Sequence, residues 1–380
     1  FVLDDGWFGA RDHDRAGLGD FTVNRKKLRG GLEPLARKIN QLGMQFGLWF
    51  EPEMVNPDSN LFRAHPDWAI QVPGRTPSEG RHQLALDLCR QEVRDAIVSS
   101  VRAVLNQAPI TYVKWDMNRH LSDPYSPMLE NQGMFFHRQV LGLYDLLTRI
   151  FGDRPDILLE SCSSGGNRFD LGMLCHSPQV WASDNTDPVE RLAIQQGLSY
   201  LYPPSCIGAH VSSSPHQQTL RQTPLSTRYN VASFGCLGYE LDLKHLDFAQ
   251  KREIRQQVAD YKVHRKTLQF GRFYRLDARK DNKVHFQAVA QDGHEAIAGF
   301  FKTQAKASEG PDILPLAGLD PDARYTVKTR PQGLNIRRFG ALINHLLPIR
   351  IHPDGWLIRT VSRFFRLPDA VEKHEGFGDL

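Results

Sequence analysis

Three acidic groups close apolar runs in this chain. Asp4-Asp5 follows Phe1-Val2-Leu3, Asp116 follows Tyr112-Val113-Lys114-Trp115, and Asp184 follows Val180-Trp181-Ala182-Ser183. A single carboxylate in such a place caps a helix or bonds a loop. Several gathered at one face are costly to bury unless they serve a reaction. Cleavage of a glycosidic bond is such a reaction. It takes two carboxyl groups across the scissile bond, one ionised and one holding a proton.

Other residues suit the same chemistry. Trp7, Trp49, Trp115 and Trp181 offer faces on which a sugar ring stacks, although tryptophan is as often plain core. Lys114, Asn118, Arg119 and Asn185 are donors for hydroxyl groups. Lys114 precedes Asp116 by two residues, so on one strand both side chains point to the same side. A cation there keeps the carboxylate ionised and hence nucleophilic. Ser163-Ser164-Gly165-Gly166 lets backbone approach a ligand closely, or simply turns the chain.

Such groups need a frame. The spacing predicts short, buried strands at Phe1–Asp5, Gln45–Glu51, Thr111–Asp116, Asp156–Cys162, Val180–Asp184, Cys206–Val211 and Phe234–Leu241. Helices fall between them at Leu32–Leu42, Gln91–Leu105, Phe135–Ile150 and Val189–Leu198. Repeated βα units imply a parallel sheet. Polar and acidic residues at the C-terminal end of run after run favour a (β/α)8 TIM barrel over an open sheet, since that end carries a barrel's active site. The catalytic barrel is expected over residues 1–270, one strand short at its N-terminus, with Ala249–Phe270 as its last helix. Residues 271–380 switch to period two, with strands expected at Phe273–Leu276, Val284–Ala290, Ala296–Phe301 and Tyr325–Thr329. That pattern predicts an appended, incomplete antiparallel β-domain.

Composition excludes other classes. Lys and Arg number 47 against 43 Asp and Glu, a net charge of +4 spread along 380 residues. No concentrated basic face for nucleic acid is readable, and no apolar stretch approaches a membrane span. Five cysteines without CxxC spacing and fifteen histidines without HExxH argue against a disulfide framework or a metal site. No metal and no cofactor are expected, and the free thiols suit a cytoplasmic location.

Lys114-Trp115-Asp116-Met117-Asn118-Arg119 resembles the nucleophile motif of α-galactosidases in glycoside hydrolase family thirty-six. Phe1–Gly9, Gly47–Met54, Glu160–Gly166, Ser183–Asp187, Gly208–Ser212 and Gly238–Leu243 resemble further segments of that family in the same order. The resemblance implies that Asp116 is the nucleophile and Asp184 the general acid and then base. It implies that Asp4 and Asp5 hold the galactose hydroxyls. Trp49, Arg81, Lys114, Asn118, Cys162 and Gly165 would line the same pocket, with Trp115 and Met117 of the nucleophile motif counted among the substrate-binding positions. The implied activity is retaining hydrolysis of terminal α-galactose from galactosides such as melibiose and raffinose. The implied assembly is a homotetramer. A galactosyltransferase of the raffinose-synthase kind shares the nucleophile chemistry. A silent galactoside-binding fragment would be expected to lack one of the two carboxylates. Members of this kind carry a β-domain and a first barrel strand ahead of Phe1, and a C-terminal domain that runs beyond Leu380. The chain is therefore expected to be a fragment, inactive alone.

Overall fold

A computed structural model describes residues 1–276, 282–304, 307–308, 312–330, 333–346, 350–352, 354–365, 367–368 and 373–377. It divides into two compact units, Phe1–Asp184 and Asn185–Leu380.

The first unit is built on five parallel strands in chain order: β1 (Val2–Leu3), β2 (Phe46–Phe50), β3 (Ile110–Trp115), β4 (Leu158–Ser161) and β5 (Gln179–Trp181). All five residues of β2 are buried, as a strand covered on both faces must be. The helices α1 (Leu32–Gln41), α2 (Gln91–Leu105) and α3 (Phe135–Phe151) supply the cover. Helix α2 buries Val93, Ile97, Val101 and Val104, the stripe readable at helical spacing. Each buried branched side chain of this kind contributes about 1.5–3 kcal/mol over leaving it exposed.

Register decides what shares an edge. Leu3 lies beside Leu48, Trp49 beside Lys114, and Lys114 beside Glu160. Because the strands are parallel, their C-terminal ends deliver Asp4, Glu51, Asp116 and Cys162 to one edge of the sheet. The expected run Val180–Asp184 is shorter than predicted. Strand β5 stops at Trp181, and Asp184 stands on the loop beyond it.

The connection from β2 to α2 is long and holds a small antiparallel pair, Met54–Val55 against Leu84–Ala85. Its anchor is Asn56, which is fully buried. Asn56 Oδ1 accepts from Leu18 N and Arg11 Nη1, and Nδ2 donates to the carbonyls of Asp14 and His82. One side chain thus ties the connection after β1 to two stretches of the connection after β2, none of which shows hydrophobic periodicity.

The second unit contains the parallel pair β6 (Ile207–Val211) and β7 (Cys236–Tyr239), with helices α4 (Pro188–Leu198), α5 (Leu225–Ala232) and α6 (Phe248–Phe270). Helix α6 starts with a capping box between Asp247 and Gln250. Helix α5 was not foreseen. Its Ser226, Thr227 and Asn230 are poor helix formers, and burial of Leu225, Tyr229 and Val231 overrides them. An antiparallel sheet follows: β8 (Arg272–Arg275), β9 (Lys283–Val289) and β10 (Ala296–Lys302). Phe234, Phe286 and Phe301 pack against one another in its core. A further strand, Arg324–Lys328, pairs with Lys373–Phe377. Asp379-Leu380 lies outside the described residues. Among the described residues, no helix is long and apolar enough to cross a membrane.

Candidate active site

Asp116 follows β3 directly and is buried. Its backbone N–H donates to Phe50 O at 2.8 Å, which continues the ladder to β2 for one more residue. Three donors converge on its carboxylate. Trp49 Nε1 reaches Oδ2 at 3.1 Å, Asn118 Nδ2 reaches Oδ2 at 2.7 Å, and Met117 N reaches Oδ1 at 2.8 Å. Charge-assisted bonds of this kind are about twice as strong as neutral ones. They hold the carboxylate in one orientation. Asn118 Oδ1 accepts from Ser164 Oγ at 3.2 Å, so the amide is held at both ends.

Asp4 and Asp5 leave β1 exposed. Asp4 Oδ2 lies 3.1 Å from Lys114 Nζ, a pair joining β1 to β3. This sharpens the reading of Lys114. Its direct partner is Asp4 rather than Asp116, which acts on it from further off. Burial lowers the Lys114 pKa, but the charges of Asp4, Glu160 and Asp116 outweigh burial and raise it. Asp5 is gripped by Arg11, whose Nε lies 3.0 and 3.1 Å from the two oxygens and whose Nη2 lies 2.9 Å from Oδ2. Arg11 is buried, and Nη1 donates to Ala16 O and Asn56 Oδ1. Sequence reasoning missed Arg11, since an arginine eight residues beyond the end of β1 in a Gly-rich loop carries no period to mark it.

Asp184 is exposed on the loop after β5, and Trp181 Nε1 donates to its Oδ1 at 2.9 Å. The loop after β4 crosses this segment closely. A Cβ on Gly165 would lie 2.9 Å from Ser183 Cα and 3.3 Å from Asp184 N, and one on Gly166 would lie 2.7 Å from Ala182 O. Gly165 also has φ +90, where side-chain-bearing residues are strained. The Ser-Ser-Gly-Gly turn therefore serves close backbone packing against the Asp184 segment. Cys162 is buried at the end of β4, and its N–H donates to Trp115 O. Burial first, and then the Asp116 charge, push the Cys162 thiol up, so it is a neutral S–H beside the carboxylate.

The remaining candidates are placed differently. Trp115 is fully buried. Its Nε1 donates to Glu53 Oε1 at 2.8 Å, and its ring meets Phe151 edge-on, so it belongs to the core beneath the site. Trp7 is core as well, with Nε1 on Trp49 O. Met117 contributes backbone, its N–H to Asp116 and its carbonyl to Ser163 Oγ. Arg119, a donor candidate in the sequence, instead binds Ser78 O and Ser122 Oγ and ties the loop before Leu84 to the Asp116 segment. Asn185 lies in the second unit, where its Oδ1 accepts from Asp187 N. Arg81 sits exposed on its loop at φ 53, close enough for its charge to act on Glu51. Two buried acids were passed over, Glu51 after β2 and Glu53, which pairs with Arg168 at 2.8 Å. The rule that singled out Asp116, an acid ending an apolar run, also marks Glu51.

The clamped Asp116 carboxylate, the Lys114–Asp4 pair and the Arg11–Asp5 chelate are hydrogen-bonding groups of the kind a polyhydroxylated ligand uses. Comparison with known proteins agrees. The melibiase family model matches residues 1–271, and the model of the glycosyl hydrolase family 36 C-terminal domain matches residues 283–349. Alpha-galactosidase AgaA of Geobacillus stearothermophilus is 51% identical over 330 residues, covering 86% of this chain and 45% of that protein. Alpha-galactosidase Mel36A of Lactobacillus acidophilus is 48% identical over 327 residues, with coverages of 86% and 45%. Among solved structures, AgaB of Geobacillus stearothermophilus superposes with a TM-score of 0.84 at 50% identity, covering 86% of this chain and 46% of that one. A double variant of AgaA in complex with raffinose superposes equally well, with the same identity and coverage. This chain thus spans about half the length of the relatives it matches. The fold class is the TIM-type βα fold with a C-terminal antiparallel sheet, as the strand pattern predicts. The chain belongs to the melibiase family, with a match to the family 36 C-terminal domain following the βα region.

Proposed function

We propose that the protein containing this chain is an α-galactosidase that releases terminal α-galactose with retention of configuration. Asp116 is the nucleophile in this reading and Asp184 the acid and base. The observation that carries it is the three-donor clamp on the buried Asp116 carboxylate. A carboxylate fixed in one orientation, with no salt-bridge partner among the described residues drawing it aside, suits in-line attack on an anomeric carbon.

In the first step an Asp116 oxygen bonds to the anomeric carbon, the glycosidic C–O bond breaks, and the leaving oxygen takes the Asp184 proton. In the second step Asp184 takes a proton from water, the water oxygen bonds to the anomeric carbon, and the ester C–O bond breaks to free Asp116. Two inversions give α-galactose. The two carboxyl groups are expected about 5–5.5 Å apart.

Asp4 and Asp5 accept from galactose hydroxyls in this reading, the former held by Lys114 and the latter by Arg11. A glucoside leaves one such acceptor unpaired, and a site built around hydrogen bonds rejects the analogue that cannot make them. The raffinose bound to an AgaA variant and the stachyose bound to another support raffinose-type oligosaccharides as substrates. Proton NMR of the first-formed sugar tests the mechanism. α-Galactose is expected, and β-galactose would refute retention.

A further inference from the structure

Glu51 has no part in the two steps above, yet it sits directly behind the residue that performs them. It follows β2 and is 1% exposed. Its Oε1 accepts from Asn118 N at 2.6 Å, and its Oε2 accepts from Gln83 Nε2 at 3.2 Å. Asn118 is the residue whose side chain holds Asp116 Oδ2. The backbone of the clamp is thus fixed by one buried carboxyl, while its side chain fixes another.

We propose that Glu51 is a positioning residue, a buried acid that keeps its proton and holds the Asp116–Asn118 turn through the Asn118 N–H. This rests on the α-galactosidase reading above and extends it by one residue and one proton. Two carboxyls buried this close cannot both ionise without heavy cost. Asp116 accepts three N–H groups, two of them on one oxygen, whereas Glu51 accepts two, one on each oxygen. Glu51 faces Asp116 from the end of β3, Gln83 and Arg81 from the loop before Leu84, and the Asn118 amide. Arg81 is the cation among these, and it is exposed, where water screens it. Burial first and the Asp116 charge second push the Glu51 carboxyl up to about 8. A neutral carboxyl still offers Oε1 to the Asn118 N–H. Above its pKa it would add a second negative charge behind the nucleophile and strain the clamp.

The test uses the full-length protein and an aryl α-galactoside whose leaving group departs without a proton, so that Asp184 does not shape the alkaline limb. Glu51→Gln keeps a neutral acceptor, and its kcat is expected within about threefold of the parent. Glu51→Ala strands the Asn118 N–H, and its kcat is expected at least tenfold lower with KM little changed. The parent kcat/KM is expected to fall with an apparent pKa near 8, and the Glu51→Gln plateau to run at least one pH unit further. Infrared difference spectra of parent against Glu51→Gln at pH 7 are expected to show a protonated-carboxyl stretch in the parent alone. Glu51→Gln as damaged as Glu51→Ala, or superimposable pH profiles, would overturn the proposal. So would an absent protonated-carboxyl band, a result that needs no activity at all. A parent without galactosidase activity refutes the function reading instead, and the infrared result then decides Glu51 by itself.

Discussion

Replacing Gly165 by alanine probes how the loop after β4 positions Asp184. Two penalties arise at this position. Gly165 has φ +90, where a side chain costs about 1–2 kcal/mol. The new Cβ would also lie 2.9 Å from Ser183 Cα, backbone that cannot swing aside like the tip of a flexible side chain. Overpacking of that kind costs about 1–3 kcal/mol. Gly43 separates the two effects. It has φ +76, and nothing lies within 4 Å of a Cβ built on it. Gly43→Ala should therefore show the conformational term alone, and Gly165→Ala should be destabilised by about 1–3 kcal/mol more. The steric part is relieved by moving Ser183 and Asp184, and a shift approaching 1 Å costs up to about 100-fold in rate. Full-length variants assayed on an aryl α-galactoside should give a kcat for Gly165→Ala at least tenfold below that of Gly43→Ala, with KM nearly unchanged. Urea midpoints provide the stability difference. Equal kcat values for the two variants would refute the claim that the Ser-Ser-Gly-Gly turn holds the acid in place.

Three further outcomes follow from the geometry. Arg11→Lys keeps the charge beside Asp5 but loses the fork that grips both oxygens; it should raise KM for galactosides about tenfold with a smaller change in kcat, measured by steady-state kinetics. Asp5→Asn should narrow the preference for galactosides over glucosides, read from the ratio of kcat/KM values, and an unchanged ratio would remove Asp5 from selectivity. The Glu51 carboxyl rises from its ordinary 4.5 to about 8, so the native state holds a proton that the unfolded state releases first. The stability from this group is complete below about pH 4.5 and is lost as pH rises toward 8, by up to about 5 kcal/mol at roughly 1.4 kcal/mol per pH unit. Glu51→Gln should therefore match the parent at pH 4.5 and exceed it by a few kcal/mol at pH 8 in denaturant titrations.

Hydrophobic spacing revealed the strands because each is a short apolar run ended by a polar residue, and Leu3 before Asp4 and Trp115 before Asp116 show the break most clearly. Helix α2 was legible to the residue, since its buried positions recur every three or four residues. Loop order was not legible. Asn56 holds the loops around Asp14, Leu18 and His82 by hydrogen bonds alone, and such bonds leave no period. The role of Arg11 was hidden for the same reason. Trp115 and Trp49 look alike in sequence, as both precede a strand end. The fold sends one indole to Glu53 in the core and the other to Asp116, a difference that only strand register decides. Asp184 is singled out by type, but its place on a loop that packs closely against Gly165 and Gly166, rather than on a strand, is not.

The central claim is that Asp116 becomes covalently attached to the sugar, and trapping that ester tests it most directly. A fluorinated α-galactosyl donor that forms the ester quickly and hydrolyses it slowly should inactivate the full-length protein. Proteolysis and mass spectrometry should then place one fluorogalactosyl adduct on the peptide carrying Asp116, and Asp116→Asn should take up none. An adduct on any other carboxylate, or undiminished hydrolysis by Asp116→Asn, would contradict the account.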